Sequence, residues 1–192
     1  APQAMTVDND QTLPRLASIA ISHAEAGADV VAPSAMADGM VGAIRRGLDD
    51  AGHAPVSILS YAVKFHSSFY GPFRDAADGA PRFGDRRQYQ MDPQTPSSID
   101  REVRLDIEEG ADMLIVKPAM AYLDVVAQVA STVDVPIAAY NVSGEYAMVH
   151  AAGQQGWIDA TAAALETVIG MRRAGASMII TYHAETIAAA LG

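Results

Sequence analysis

The chain has 192 residues, half of them apolar, enough to bury a sizeable core in one domain. A formal net charge of −10 argues against a nucleic-acid partner and against a polybasic membrane contact. With no cysteine there is no disulfide framework and no thiolate metal site, and the apolar runs are too short to span a bilayer. No signal peptide is visible, so the cytoplasm is the compartment expected.

The chain opens on "APQAMTVDND", a loop-like stretch without an initiator Met. Leu13, Leu16, Ile19 and Ala20 then mark one face of a helix, with Pro14 expected in its first turn. "EAGADVVAPS" (25–34) is the first of three similar phrases. Asp38 is a candidate N-cap for a helix carrying Val41, Ile44 and Leu48 and ending before Gly52. "VSILSYAV" (56–63) reads as a strand, followed by Lys64. Residues 66–98 are rich in Gly, Pro, Asp, Arg and aromatics. That is too long for a routine connection, and its aromatics and arginines favour a lid.

A helix near 100–109 leads into the second phrase, "EEGADMLIVKP" (108–118). A helix at 122–132, the strand "VPIAAY" (135–140) and helices at 145–153 and 159–173 follow. The third phrase is "RRAGASMIITY" (172–182), and a helix at 184–190 ends the chain. Each phrase is a helix end, a glycine suited to a left-handed cap, and a short apolar run of the kind a doubly covered parallel strand shows. Repetition of that joint predicts βα units. An open doubly wound sheet and a closed (β/α)8 barrel both accept such units, but no G-x-G-x-x-G follows a strand. Polar residues fall at the strand ends: Ser34, Lys64, Lys117, Asn141 with Ser143, and Tyr182. A barrel draws its active site from those ends. The fold class expected is therefore an α/β TIM barrel of which about the last five βα units are present.

Lysine usage is the sharpest chemical signal. The chain has two lysines, Lys64 and Lys117, against eleven arginines, and each lysine ends an apolar run. An amine in a low-dielectric pocket is disfavoured as an ammonium, and a second cation nearby adds to the effect. The neutral amine can attack a ketone to form a Schiff base. The competing reading is that each lysine reaches along apolar surface to solvent. Arg74, Arg86 and Arg87 offer forks for a carboxylate, unless they only solvate a loop. Ser143 suits either a helix cap or an anion contact. Tyr182 reads as a core tyrosine, and the five histidines lack metal-ligand spacing.

Four stretches carry a family resemblance: "SYAVKFHSSFYGPFRDAA", "FGDRRQYQMDP", "GADMLIVKPAMAYLD" and "YNVSGEYAM". Together, and in this order, they resemble the porphobilinogen synthase (5-aminolevulinate dehydratase) family from about Val7 to the C-terminus. The resemblance implies a (β/α)8 barrel that condenses two 5-aminolevulinate molecules to porphobilinogen, an early step of tetrapyrrole (haem) synthesis. It implies that Lys117 forms the Schiff base with the first substrate and that Lys64 engages the second. Ser143 and Tyr182 match residues that bind the first carboxylate; Arg74, Arg86 and Gln90 match those for the second. Ser34, Tyr70, Phe73 and Tyr140 match pocket-lining positions, and Glu102 matches an allosteric magnesium position. Magnesium or zinc, and a homo-octamer, are implied as well.

Two departures from the family pattern stand out. The family's N-terminal arm, first three strands and catalytic metal ligands have no counterpart here, which fits a fragment of a longer chain. The isolated chain is then expected to lack steady turnover. In addition, the family phrase "PSDMMDGR" reads "PSAMADGM" here, with Ala35, Ala37 and Met40 in place of an acid, a methionine and an arginine. A class I aldolase would explain one lysine but not the second lysine with the arginines. A catalytically incomplete, structural relative is the remaining alternative.

Overall fold

The computed structural model describes residues 7–77, 89–95 and 98–192. Five strands and eight α-helices are found among them, with one or two α-helices between successive strands. The strands are β1 (Val30–Val31), β2 (Ser57–Lys64), β3 (Met113–Lys117), β4 (Ile137–Asn141) and β5 (Met178–Thr181). Their order in the sheet is the order in the chain, as successive βα units require. Pairing is parallel, with Val30 opposite Ser57 and Ala138 opposite Met178. The helices are α1 (Asn9–Glu25), α2 (Met40–Asp50), α3 (Gly71–Ala76), α4 (Ile99–Glu108), α5 (Leu123–Thr132), α6 (Ser143–Gln154), α7 (Ala160–Arg173) and α8 (Ala184–Leu191). Among the described residues, no helix is long and apolar enough to cross a membrane.

The repeated phrase works as expected. Gly27, Gly110 and Gly175 have φ of +96°, +105° and +110°, the left-handed turn that ends each preceding helix. Two residues beyond the glycine, the phrase does a second job. Asp112 Oδ2 accepts the Ile58 N–H at 2.7 Å, and Ser177 Oγ accepts the Ile137 N–H at 3.0 Å. The polar residue just before each of these strands therefore satisfies an amide in the first two residues of its neighbour.

The chain divides into two compact units, residues 1–66 with 81–115 and residues 67–80 with 116–192. In the first, Val41, Ile44 and Leu48 of α2 and Ile58 and Val63 of β2 are buried, with Ile99 and Val103 of α4. In the second, Val125, Val126 and Val129 of α5, Ile137 to Ala139 of β4, and Val168 and Met171 of α7 form the core. Full burial of each large aliphatic side chain contributes about 1.5–3 kcal/mol.

Two local expectations are corrected. Gly39, at φ +78°, is the N-cap of α2 in place of Asp38, whose carbonyl oxygen instead accepts from the Asn9 side chain at 3.0 Å. α1 starts earlier than its apolar face suggests, because the Asp8 carboxylate caps it by accepting the Gln11 N–H at 3.1 Å. Pro14 consequently lies in the second turn, on an exposed face where water can satisfy the Asp10 carbonyl.

In the stretch 66–98, expected as a lid, the described residues include a turn and a short helix. Ser67 Oγ accepts the Phe69 N–H, a 3-10 turn spans Ser68–Tyr70, and α3 follows. Arg86 and Arg87 lie outside the described residues.

Candidate active site

In the first unit the site centres on Lys64. It is the last residue of β2, a strand whose alternation buries Ile58, Ser60 and Ala62, and it is itself only 8% exposed. Its Nζ donates to the Ser34 carbonyl oxygen at 2.6 Å and lies 5.5 Å from the Tyr61 ring centroid. Ser34 therefore meets the lysine through its backbone. Gln90 is buried, and neither its amide oxygen nor its nitrogen has a partner. A buried carboxamide without partners is costly, so it suits a polar ligand group.

The same unit holds an acidic cavity of about 180 Å³ lined by Asp38, Met40, Glu102, Asp106 and Glu109. Burial, chiefly, pushes the Asp106 carboxyl up to about 6, although Ser60 Oγ donates to it at 2.6 Å. Burial and then Asp38 push Glu102 up as well, with Arg101 opposing. Glu109 instead accepts the Gly42 N–H of α2 at 3.0 Å. Ala35 and Ala37 line a second cavity, of about 320 Å³, with Val7, Thr12 and Tyr89.

In the second unit Lys117 ends β3, preceded by the buried Leu114 to Val116. Its Nζ sits 4.3 Å from the Tyr140 ring centroid and 5.2 Å from that of Tyr70. Aromatic faces at these distances attract a cation. The Tyr70 hydroxyl donates to the Lys117 carbonyl at 3.3 Å, and the Arg74 guanidinium lies 5.5 Å from the Tyr70 ring. Arg74 also donates to the Ser67 carbonyl at 3.2 Å.

Ser143 is the first residue of α6, with Val142 at the cap position, so the cap role weighed for it is not the one it takes. Its hydroxyl accepts the Phe73 N–H at 3.2 Å. Phe73 thus contributes its backbone here, while its side chain is 49% exposed. Tyr182 follows β5. It is 48% exposed rather than a core tyrosine, and its ring stands 5.6 Å from that of Tyr146. The Tyr146 ring also meets those of His150 and His183 at a tilt, with centroids 4.7 and 4.5 Å away. Burial, then His150, lowers the His183 pKa.

Lys117, Tyr70, Tyr140, Arg74, Ser143 and Phe73 are thus gathered in one unit, and Lys64, Ser34 and Gln90 in the other. Tyr61, Tyr146 and Glu145 were not anticipated as neighbours. Glu145 alone left a trace, an acid three positions after the N-cap of a helix. Among the described residues, no group of three or more His, Cys, Asp or Glu side chains could hold a metal ion.

Comparison with known proteins identifies the family. The model of the family described as delta-aminolevulinic acid dehydratase matches residues 2–190. Delta-aminolevulinic acid dehydratases from two strains of Staphylococcus aureus are 58% identical over 181 residues, 94% of this chain and 56% of theirs. The chain therefore spans about half the length of these relatives. A crystal structure of the Toxoplasma gondii delta-aminolevulinic acid dehydratase, in complex with its reaction product porphobilinogen, superimposes with a TM-score of 0.95 at 47% identity. The match covers 98% of this chain and 54% of that one. The five βα units are part of a TIM barrel, and the chain belongs to the delta-aminolevulinic acid dehydratase family.

Proposed function

We propose that this chain carries the Schiff-base lysines of an enzyme that condenses two 5-aminolevulinate molecules to porphobilinogen with loss of two waters, in haem and other tetrapyrrole synthesis. One observation carries the reading. The only two lysines of the chain are each the last residue of a strand, in a family named for this dehydratase activity.

Lys117 attacks the ketone of the first substrate; water leaves and an imine forms. The Tyr140 and Tyr70 rings support this role by setting apolar surface beside the amine. Ser143 and Tyr182 take the first substrate's carboxylate, the serine at a helix N-terminus where an anion is favoured. Lys64 engages the second substrate. Arg74, Arg86 and Gln90 bind its carboxylate, and the unpartnered amide of Gln90 supports that assignment. Ser34, Tyr70, Phe73 and Tyr140 line the pocket.

Glu102 is the residue proposed for magnesium. This assignment follows the family resemblance: Glu102 lines the cavity with three further acids and Arg101, but among the described residues these acids are not grouped as a metal ion requires. A homo-octamer acting in the cytoplasm completes the proposal.

Incubation with 5-aminolevulinate, reduction with borohydride and peptide mapping test it. An adduct on Lys117 is expected. Absence of any lysine adduct, or adducts only with aldolase substrates, overturns the reading.

A further inference from the structure

Glu145 is fully buried, yet none of the steps above uses it. It is the third residue of α6. Its Oε1 accepts the Met120 N–H at 2.9 Å. Its Oε2 accepts the Val142 N–H at 2.9 Å and the Asn141 side-chain amide at 3.2 Å. The Ala121 N–H supplies a further bond. All these partners are uncharged donors, so the group they suit is a carboxylate, which only accepts.

A glutamate at this helical position ordinarily closes on the N–H of its own N-cap, as Glu145 does with Val142. Here the same carboxylate also reaches back 25 residues to Met120. Met120 and Ala121 lie in the loop that leaves β3 directly after Lys117. Asn141 ends β4, and Val142 is the cap residue directly before Ser143. The cluster is extended by Thr181, whose hydroxyl donates to Asn141 Oδ1 at 2.9 Å and accepts the His183 N–H at 3.1 Å. That chain of bonds ends on either side of Tyr182.

We infer that Glu145 is a positioning residue: its carboxylate clamps the loop after Lys117 to the residues before Ser143, and so fixes amine and carboxylate anchor against one keto acid. This rests on the function proposed above. In 5-aminolevulinate two methylene groups separate ketone and carboxylate, so amine and anchor must hold a defined separation. A shift of about 1 Å in such an arrangement costs on the order of 100-fold in rate.

The test compares the 192-residue chain with its Glu145→Gln variant. Lys117 labelling by saturating 5-aminolevulinate and borohydride is followed in time, and amide exchange at Met120 is followed by NMR. The variant is expected to label Lys117 about tenfold more slowly or worse and to lose protection at Met120. A merely structural role would lower only the amplitude of labelling, through the folded fraction, and leave the rate constant unchanged. Wild-type labelling rate or retained Met120 protection in the folded variant overturns the inference. Should Glu145→Gln not fold, Glu145→Asp decides, because it keeps the charge and draws it back by one carbon. Slower labelling with loss of Met120 protection is expected there too, and wild-type values in both sink the clamp. A wild-type chain that forms no adduct sinks the proposed function instead, and Met120 exchange then decides the clamp alone.

Discussion

The Nζ of Lys64 donates to the carbonyl oxygen of Ser34 at 2.6 Å, so the loop after β1 orients the lysine that ends β2. Lys117 has a different setting, near the rings of both Tyr140 and Tyr70. The two amines are therefore expected to differ in reactivity. Lys117→Met should reduce borohydride-trapped 5-aminolevulinate to background, whereas Lys64→Met should keep the Lys117 adduct within about threefold of wild type. Peptide mapping of both variants reads this directly, and an adduct that survives Lys117→Met refutes the division of roles.

Ser143 and Tyr182 are expected to control affinity rather than rate. Each proposed contact is a charge-assisted hydrogen bond worth about 1.5–3 kcal/mol, so Ser143→Ala or Tyr182→Phe should raise half-saturating 5-aminolevulinate by about 10-fold or more. The limiting labelling rate should change little. A titration of Lys117 labelling against substrate concentration separates these variants from Glu145→Gln.

Gly144 sits where no side chain fits. A Cβ there would stand 2.4 Å from the Phe69 carbonyl oxygen and 2.8 Å from its Cα, both backbone atoms. Gly144→Ala must push apart α6 and the 3-10 turn that leads into α3. A loss of about 2–3 kcal/mol is expected in urea unfolding, together with weaker substrate binding, since the adjacent Ser143 bonds Phe73. Wild-type stability in that variant would contradict the close approach.

Asp106 gives a pH dependence with a definite sign. Its carboxyl is raised to about 6 from 3.8, so the folded state favours the protonated form. Its contribution to stability is fully present below about pH 4 and is lost as pH rises through 6. Asp106→Asn keeps a partner for Ser60 and removes the buried charge. It is expected to raise Tm by about 3–6 °C at pH 8 and to give no gain near pH 4. Equal effects at both pH values would exclude the linkage.

Leu48 probes the first core. It is completely buried on α2. Leu48→Ala should cost about 2–5 kcal/mol, measured by urea unfolding, with no change in the pH dependence assigned to Asp106.

Much of this arrangement is legible along the chain because its causes are local. A glycine that must adopt positive φ, a short β-branched run and a lysine at its end are neighbours in sequence. "EEGADMLIVKP" therefore declares its helix end, its strand and its candidate amine at once. The start of α1 was less legible, since the apolar face begins at Leu13 while the cap that decides it is the exposed Asp8. The start of α2 was misread for a related reason. Asp38 has the right side chain for a cap, but its carbonyl is taken by Asn9 and the turn geometry passes to Gly39.

By itself the sequence determined the βα repeat, the position of both lysines and, through long specific motifs, the family. Only the tertiary structure decided what surrounds them. It turned Ser143 toward the Phe73 amide, exposed Tyr182, left Gln90 buried without partners and joined the loops around Lys117 and Ser143 through one carboxylate. The physical reason is range: caps and strands follow from residues a few positions apart, whereas satisfying a buried carboxylate needs donors that folding brings together from 25 residues away.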